Sequence, residues 1–200
     1  MMSIKEVMEL FDNKAVVMGG AVADLHFNKE VKDYDMLIHA KDWCEFDNFP
    51  VFGGNVQYNA EFDTRYFGNY EIPSMISRSL NFNIDDTEID VFILDYSYED
   101  YDINSLVERY IVENFDQAIK MAYYGVNGAK YAPEFHRAIK INTNTLTTRG
   151  EKDLNADRYQ FESSRIIQRL ENTKKKYGIP YDMYQVMNVV DKVNKSTMLT

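Results

Sequence analysis

A single cysteine, Cys44, stands among the 200 residues, so no disulfide can form within the chain and a reducing compartment is expected. Proline (4) and glycine (9) are scarce, which excludes a collagen-like repeat and a linker-rich disordered chain. No apolar run nears the roughly 18 to 20 residues of a membrane helix. Acidic residues interrupt the first dozen positions, MMSIKEVMELFD, where a secretory signal would hold its apolar core. Together these absences predict a cytoplasmic protein with no membrane contact. Positive charge is also short: 22 Lys and Arg against 32 Asp and Glu leave a net charge of -10, which as a whole repels a phosphate backbone.

What is present predicts a folded chain. Apolar residues make up 45% of the sequence, and 200 residues suffice for one or two compact domains. The charge is uneven. Residues 1 to 130 carry 10 Lys and Arg against 24 Asp and Glu, whereas residues 131 to 200 carry 12 against 8. An acidic first part gathers cations or water; a mildly basic last part is able to meet phosphate.

Hydrophobic periodicity predicts a helix over 3 to 12, a short strand over Ala15 to Met18, a Gly19-Gly20 turn and a helix over Ala21 to Phe27. Lys32 to His39 alternates as a strand, with Asp33, Asp35 and Leu37 on one face and Tyr34, Met36 and Ile38 on the other. Residues 41 to 75 show no clear period beyond a short helix over Asp42 to Phe49. Ser79 to Ile84 and Glu88 to Leu94 read as a hairpin around Asp85-Asp86-Thr87, Ile103 to Val112 as a helix, and Gln117 to Tyr124 and Lys130 to Ala132 as strands. From Pro133 the pattern is helical, over Glu134 to Ile141, Asp153 to Tyr177 with Gly178 closing it, and Tyr181 to Val193. The expected architecture is therefore α/β, a mixed or antiparallel sheet of about five strands flanked by helices. It forms a head over 1–145, followed by an all-helical region over 146–200.

One ordered constellation carries chemistry. Val17-Met18-Gly19-Gly20 is followed, after twelve residues, by Asp33-Tyr34-Asp35-Met36-Leu37-Ile38. A glycine pair between strand and helix lets backbone approach a phosphate without Cβ obstruction. Two Asp at i and i+2 of a strand point the same way and offer oxygen ligands to a hard cation such as Mg²⁺. Asp90, set among Ile89, Val91, Phe92 and Ile93, is costly to bury unless paired, hydrogen-bonded or bound to metal. Each element alone is a common pattern of turns and solvated strands, with Glu88 beside Asp90 on the same face; their order is what is informative. Other chemistries lack their residues. His26, His39 and His136 have no metal-ligand spacing, Cys44 has no neighbouring His, and no P-loop sequence occurs.

Gly19-Gly20-Ala21-Val22-Ala23-Asp24-Leu25 followed by Asp33-Tyr34-Asp35 resembles the Gly-Gly-x-Val-Arg-Asp and Asp-x-Asp motifs of the polymerase-β-like nucleotidyltransferases. Within them it is similar to the head of CCA-adding enzymes and bacterial poly(A) polymerases. Ala23 stands where those motifs carry Arg. Arg165-Ile166-Ile167-Gln168-Arg169-Leu170 is similar to the arginine-bearing helix that follows that head. The resemblance implies that Asp33, Asp35 and Asp90 bind Mg²⁺, and that Gly19, Gly20, Arg165 and Arg169 meet the nucleotide. The implied reaction transfers a nucleoside monophosphate from an NTP such as ATP to an acceptor hydroxyl, with pyrophosphate released. An RNA 3′ end is the acceptor that the motif favours. A protein or small-molecule hydroxyl, or a silent nucleotide-binding or protein-interaction module, is the alternative. The short, Tyr- and Asn-rich chain would suit a phage genome.

Overall fold

A computed structural model describes residues 2–45, 56–59, 75–156 and 164–197, with only the backbone at 44–45, 56–59 and 192–197. In chain order the elements are α1 (Ile4–Leu10), β1 (Val16–Met18), α2 (Gly20–His26), β2 (Asp33–Ile38), α3 (Ala40–Glu45), β3 (Val56–Asn59), β4 (Ile76–Ile84) and β5 (Thr87–Leu94). There follow α4 (Ile103–Asn114), β6 (Ala122–Gly125), β7 (Gly128–Tyr131), α5 (Pro133–Ile141), α6 (Thr148–Ala156), α7 (Arg165–Tyr177) and α8 (Met183–Thr197). Internal contacts divide them into two compact units, Met1–Tyr110 with Ala122–Lys130 and Ile111–Met121 with Tyr131–Thr200.

The first unit is built on a seven-stranded mixed sheet in the order β3-β4-β5-β2-β1-β6-β7. One face is apolar. Tyr34, Met36 and Ile38 of β2 lie in register with Ile89, Val91 and Ile93 of β5, all at most 3% exposed. Phe82 of β4 continues that row, and Phe11 packs against it and against Trp43, with ring centroids 6.4 and 6.5 Å apart. The start of the chain is laid over the same face: Tyr34 Oη donates to the Met2 carbonyl at 2.7 Å, and the Met2 amide donates to Thr87 Oγ1 at 3.0 Å. A capping box between Ser3 and Glu6 then starts α1, which buries Ile4, Val7 and Met8. The strand alternation in β2 and β5 thus divides a dry face from one that bears the acids.

β4 and β5 meet in a two-residue hairpin. Asp85 and Asp86 both have positive φ (47° and 62°), and Thr87 already pairs with Ile84. That is the turn geometry which suits the twist of a hairpin, and Asp tolerates it better than most residues.

The second unit has its own core of Leu146, Leu154, Ile166, Leu170 and Val186. Its hub is polar. Asn144, 1% exposed, donates through Nδ2 to Gln117 Oε1 at 2.9 Å and accepts the Ile119 amide on Oδ1 at 3.2 Å. Its backbone bonds the Pro180 carbonyl (2.8 Å) and the Asp182 amide (3.0 Å). Gln185 accepts the Leu146 amide at 2.8 Å and donates to the Leu146 carbonyl at 3.0 Å. Gly178 (φ 74°) closes α7 by donating to the Lys174 carbonyl, as the sequence predicts.

Some expected elements differ. The strand expected over Gln117 to Tyr124 is a 3₁₀ turn, Ala118–Lys120, followed by β6. The amides of Ala118 and Ile119 bond Thr145 and Asn144 and so are unavailable to a sheet ladder. The helix expected over Asp153 to Tyr177 is two helices, because Ser164 has an extended ψ of 124° ahead of α7. The helix expected over Asp42 to Phe49 is described as Ala40–Glu45, and residues 46 to 49 of the expectation lie outside the described residues. Among the described residues seven strands stand where about five were expected, β3 arising in the aromatic stretch that shows no period.

Candidate active site

β2 and β5 run parallel, and their register pairs Asp33 with Glu88 and Asp35 with Asp90. Register partners on neighbouring strands project to the same side, so four carboxylates share the face opposite the apolar core. Their backbones form a rectangle of about 4.8 Å between strands by about 6.6 Å along them. The row through Asp90 and Asp35 continues on both sides, with Asn81 of β4 opposite Asp90, Met18 of β1 opposite Asp35 and Tyr123 of β6 opposite Met18. Farther along the same face Phe92 packs on Tyr110 of α4, with centroids 6.2 Å apart. Tyr110 thus lies against the Phe92 end of the face, beyond the carboxylates.

The carboxylates have different surroundings. Asp33 and Glu88 are exposed, and Asp35 and Asp90 are partly buried. Burial pushes the Asp90 carboxyl above its ordinary value of 3.8; the Asn81 hydrogen bond draws it down, and the charges of Glu88 and Asp33 push it up again. The Asn81 amide reaches two acids at once, donating to Asp90 Oδ1 at 2.7 Å and to Glu88 Oε1 at 3.0 Å. Tyr123, 2% exposed, donates to Glu108 Oε1 at 2.8 Å, and burial followed by that bond raises its phenol well above the usual range. Lys130 Nζ lies 5.6 Å from the Tyr123 ring centroid.

Among the described residues no three His, Cys, Asp or Glu side chains are gathered closely enough to hold a metal ion as they lie. The donor chemistry still fits a divalent cation. The acids are all-oxygen ligands on one face, and Asp90 carries a desolvated carboxylate beside two like charges, a state that a cation relieves. Of the residues expected at the site, Asp33, Asp35 and Asp90 therefore share one face. Asn81 was missed by sequence reasoning. Its signal is the polar alternation Ser79, Asn81, Asn83 against Leu80, Phe82, Ile84.

The two glycines differ. Gly19 caps α2 with φ 74° and ψ -127°, a conformation that side chains rarely adopt, and its amide donates to the Ala122 carbonyl at 2.9 Å. That N–H extends the sheet and is not a phosphate donor. Gly20 opens α2, and a Cβ placed there would meet nothing within 4 Å. Its lack of a side chain is not required by packing.

The two arginines belong to the second unit. Arg165 is exposed at the start of α7. Arg169, half exposed, brings Nη1 to 2.9 Å from Oδ2 of Asp116, which is 3% exposed. The same cluster holds Asp153, hydrogen-bonded at 3.0 Å by Nε of Arg149; burial raises the Asp153 carboxyl while the two arginines lower it. Arg169 is thus engaged in holding a buried acid, a role the sequence did not show.

Solved structures share the fold of this chain at low identity. A CCA-adding enzyme in complex with CTP has a TM-score of 0.61 at 12% identity, over 97% of this chain and 44% of that one. A tRNA-processing enzyme in an apo form has 0.59 at 13%, over 98% and 48%. A tRNA nucleotidyltransferase complexed with a primer tRNA and an incoming ATP analogue has 0.55 at 12%, over 97% and 50%. The chain therefore spans 44% to 50% of the length of these neighbours. No protein-family model matches the sequence, and no curated protein does.

Proposed function

We propose that this chain is a divalent-cation-dependent nucleotidyltransferase that moves a nucleoside monophosphate from an NTP to an acceptor hydroxyl. The observation that carries the reading is the register of Asp35 with Asp90, with Asp33 two residues away on the same face. In the reaction the acceptor oxygen bonds to the α-phosphorus, the bond from that phosphorus to the bridging oxygen breaks, and pyrophosphate leaves with its electron pair. Asp33, Asp35 and Asp90 would hold Mg²⁺, which when bound would neutralise phosphate charge and favour loss of the acceptor proton. The open space over Gly20 leaves room for a phosphate close to backbone. Positioning and charge, rather than a covalent enzyme intermediate, supply the rate.

An RNA 3′ hydroxyl is the acceptor that this reading favours, because the fold neighbours include proteins solved with tRNA and with CTP or an ATP analogue. A protein or small-molecule hydroxyl acceptor is the second reading. Release of pyrophosphate from each NTP with Mg²⁺, in the presence of RNA pools or of cell extract, separates them by which macromolecule becomes labelled. Asp33→Asn and Asp35→Asn are each expected to lower turnover at least a thousandfold with an unchanged circular dichroism spectrum. Turnover preserved in either variant overturns the assignment.

A further inference from the structure

Asn81 sits at the centre of an arrangement that its amide alone explains. It is the register partner of Asp90, and its single side-chain nitrogen donates to Asp90 Oδ1 at 2.7 Å and to Glu88 Oε1 at 3.0 Å. Glu88 and Asp90 are two residues apart on β5, on the face that also carries Asp33 and Asp35. Like charges so placed repel, and long or loosely held carboxylates would swing apart. One NH₂ group has two hydrogens, so a single amide can serve one oxygen of each acid and leave each acid its second oxygen. An acid in that position would supply no donor, and an apolar residue would leave Asp90, with its partly buried carboxylate, without this bond.

We infer that Asn81 is a positioning residue: it clamps Asp90 and Glu88 together and so presets Asp90 as a ligand for the divalent cation. The inference rests on the cation-dependent reading of this face. Groups that orient a ligand from behind commonly change metal affinity by roughly 10- to 100-fold when removed. Asn81 acts through Asp90, so its effect vanishes where Asp90 has already lost its charge.

The test is Mn²⁺ binding to the full chain without nucleotide, followed by calorimetry or by the paramagnetic resonance of free Mn²⁺. Asn81→Ala is expected to weaken Mn²⁺ roughly tenfold in the wild-type background and to change it less than about twofold in an Asp90→Asn background. Asn81→Thr, which suits a strand better and offers one hydroxyl donor, is expected to fall between the two. It serves as the readout if Asn81→Ala does not fold by circular dichroism. A general loosening of β4 would instead weaken binding equally in both backgrounds, and that result overturns the inference. Unchanged Mn²⁺ affinity in Asn81→Ala, with loss of affinity in Asp33→Asn and Asp90→Asn, overturns the clamp and leaves the cation site standing. Unchanged affinity in all of these variants removes the cation site and the clamp with it.

Discussion

At the scale of single residues, Asp90 shows how a partly buried carboxylate strains the fold that carries it. Burial and the neighbouring Glu88 and Asp33 raise its carboxyl above 3.8, so the folded chain binds that proton more tightly than the unfolded chain does. The ionised acid is therefore destabilising above the raised value, and the penalty fades as pH falls through it toward the ordinary range. Asp90→Asn is expected to raise the melting temperature of the metal-free protein at pH 7, with the gain disappearing in acid; a melting temperature that falls at pH 7 contradicts it. If Asp90 is a cation ligand as proposed, cation and proton compete for its carboxylate, and Mn²⁺ binding should begin to weaken at a higher pH than an unperturbed Asp would give. The two glycines divide in the same spirit. Gly19→Ala forces a side chain into φ 74° and ψ -127° and is expected to cost about 1–3 kcal/mol in denaturant unfolding. Gly20→Ala meets no atom within 4 Å, so stability should hold while the KM for NTP rises if phosphate passes over that backbone. An unchanged KM would place the phosphate elsewhere.

At the scale of elements, the second unit depends on close backbone approach more than on propensity. α6 begins TRGEKD, with glycine at its third position, where helix propensity would favour alanine. The reason is contact: a Cβ on Gly150 would stand 2.1 Å from the Asp116 carbonyl oxygen and 2.9 Å from Leu146 Cδ2. That carbonyl also accepts the Thr147 amide at 3.1 Å, and Thr147 Oγ1 donates to the Phe115 carbonyl beside it. Gly150→Ala must therefore move α6 or the Asp116 segment. It is expected to lose about 1–3 kcal/mol by denaturant titration, against the small gain propensity alone would give. A stabilised Gly150→Ala variant would show that the approach is looser than it stands here. The same segment presents the Asp116 carboxylate to Arg169, so the arginine expected to meet the nucleotide has a buried acid as its partner.

At the scale of the whole chain, charge decides how a phosphate-bearing partner is met. The net charge is -10, yet residues 131 to 200 hold 12 Lys and Arg against 8 Asp and Glu. If RNA is the acceptor, that small excess limits how many phosphates are neutralised. The logarithm of RNA affinity should then fall with the logarithm of salt with a slope of about -3, near 0.7 for each of four excess cations. A slope steeper than about -6, measured by fluorescence anisotropy on a short single strand, would require a basic surface that this charge distribution does not supply. No helix among the described residues is long and apolar enough to cross a membrane.

Much of the first unit was legible in the sequence because strand alternation encodes two faces. Tyr34, Met36 and Ile38 against Asp33, Asp35 and Leu37 is a pattern of period two, and it became the two faces of β2, one dry throughout and the other carrying Asp33 and Asp35 before the buried Leu37. The sequence by itself also determined the turn at Gly19-Gly20 and the close of α7 at Gly178, since positive φ selects glycine at short range. Tertiary structure alone decided the rest. The parallel register that sets Asp90 beside Asp35 joins residues 55 positions apart, and no local pattern fixes such a pairing. The same holds for Asn81 as the donor to both acids, for the Asp116 partner of Arg169, and for Asn144 drawing the Gln117 segment out of the sheet. Short-range sterics and periodicity act within a few residues and are written in the sequence. Hydrogen bonds and ion pairs between distant segments depend on which surfaces meet, and only the folded chain brings those surfaces together.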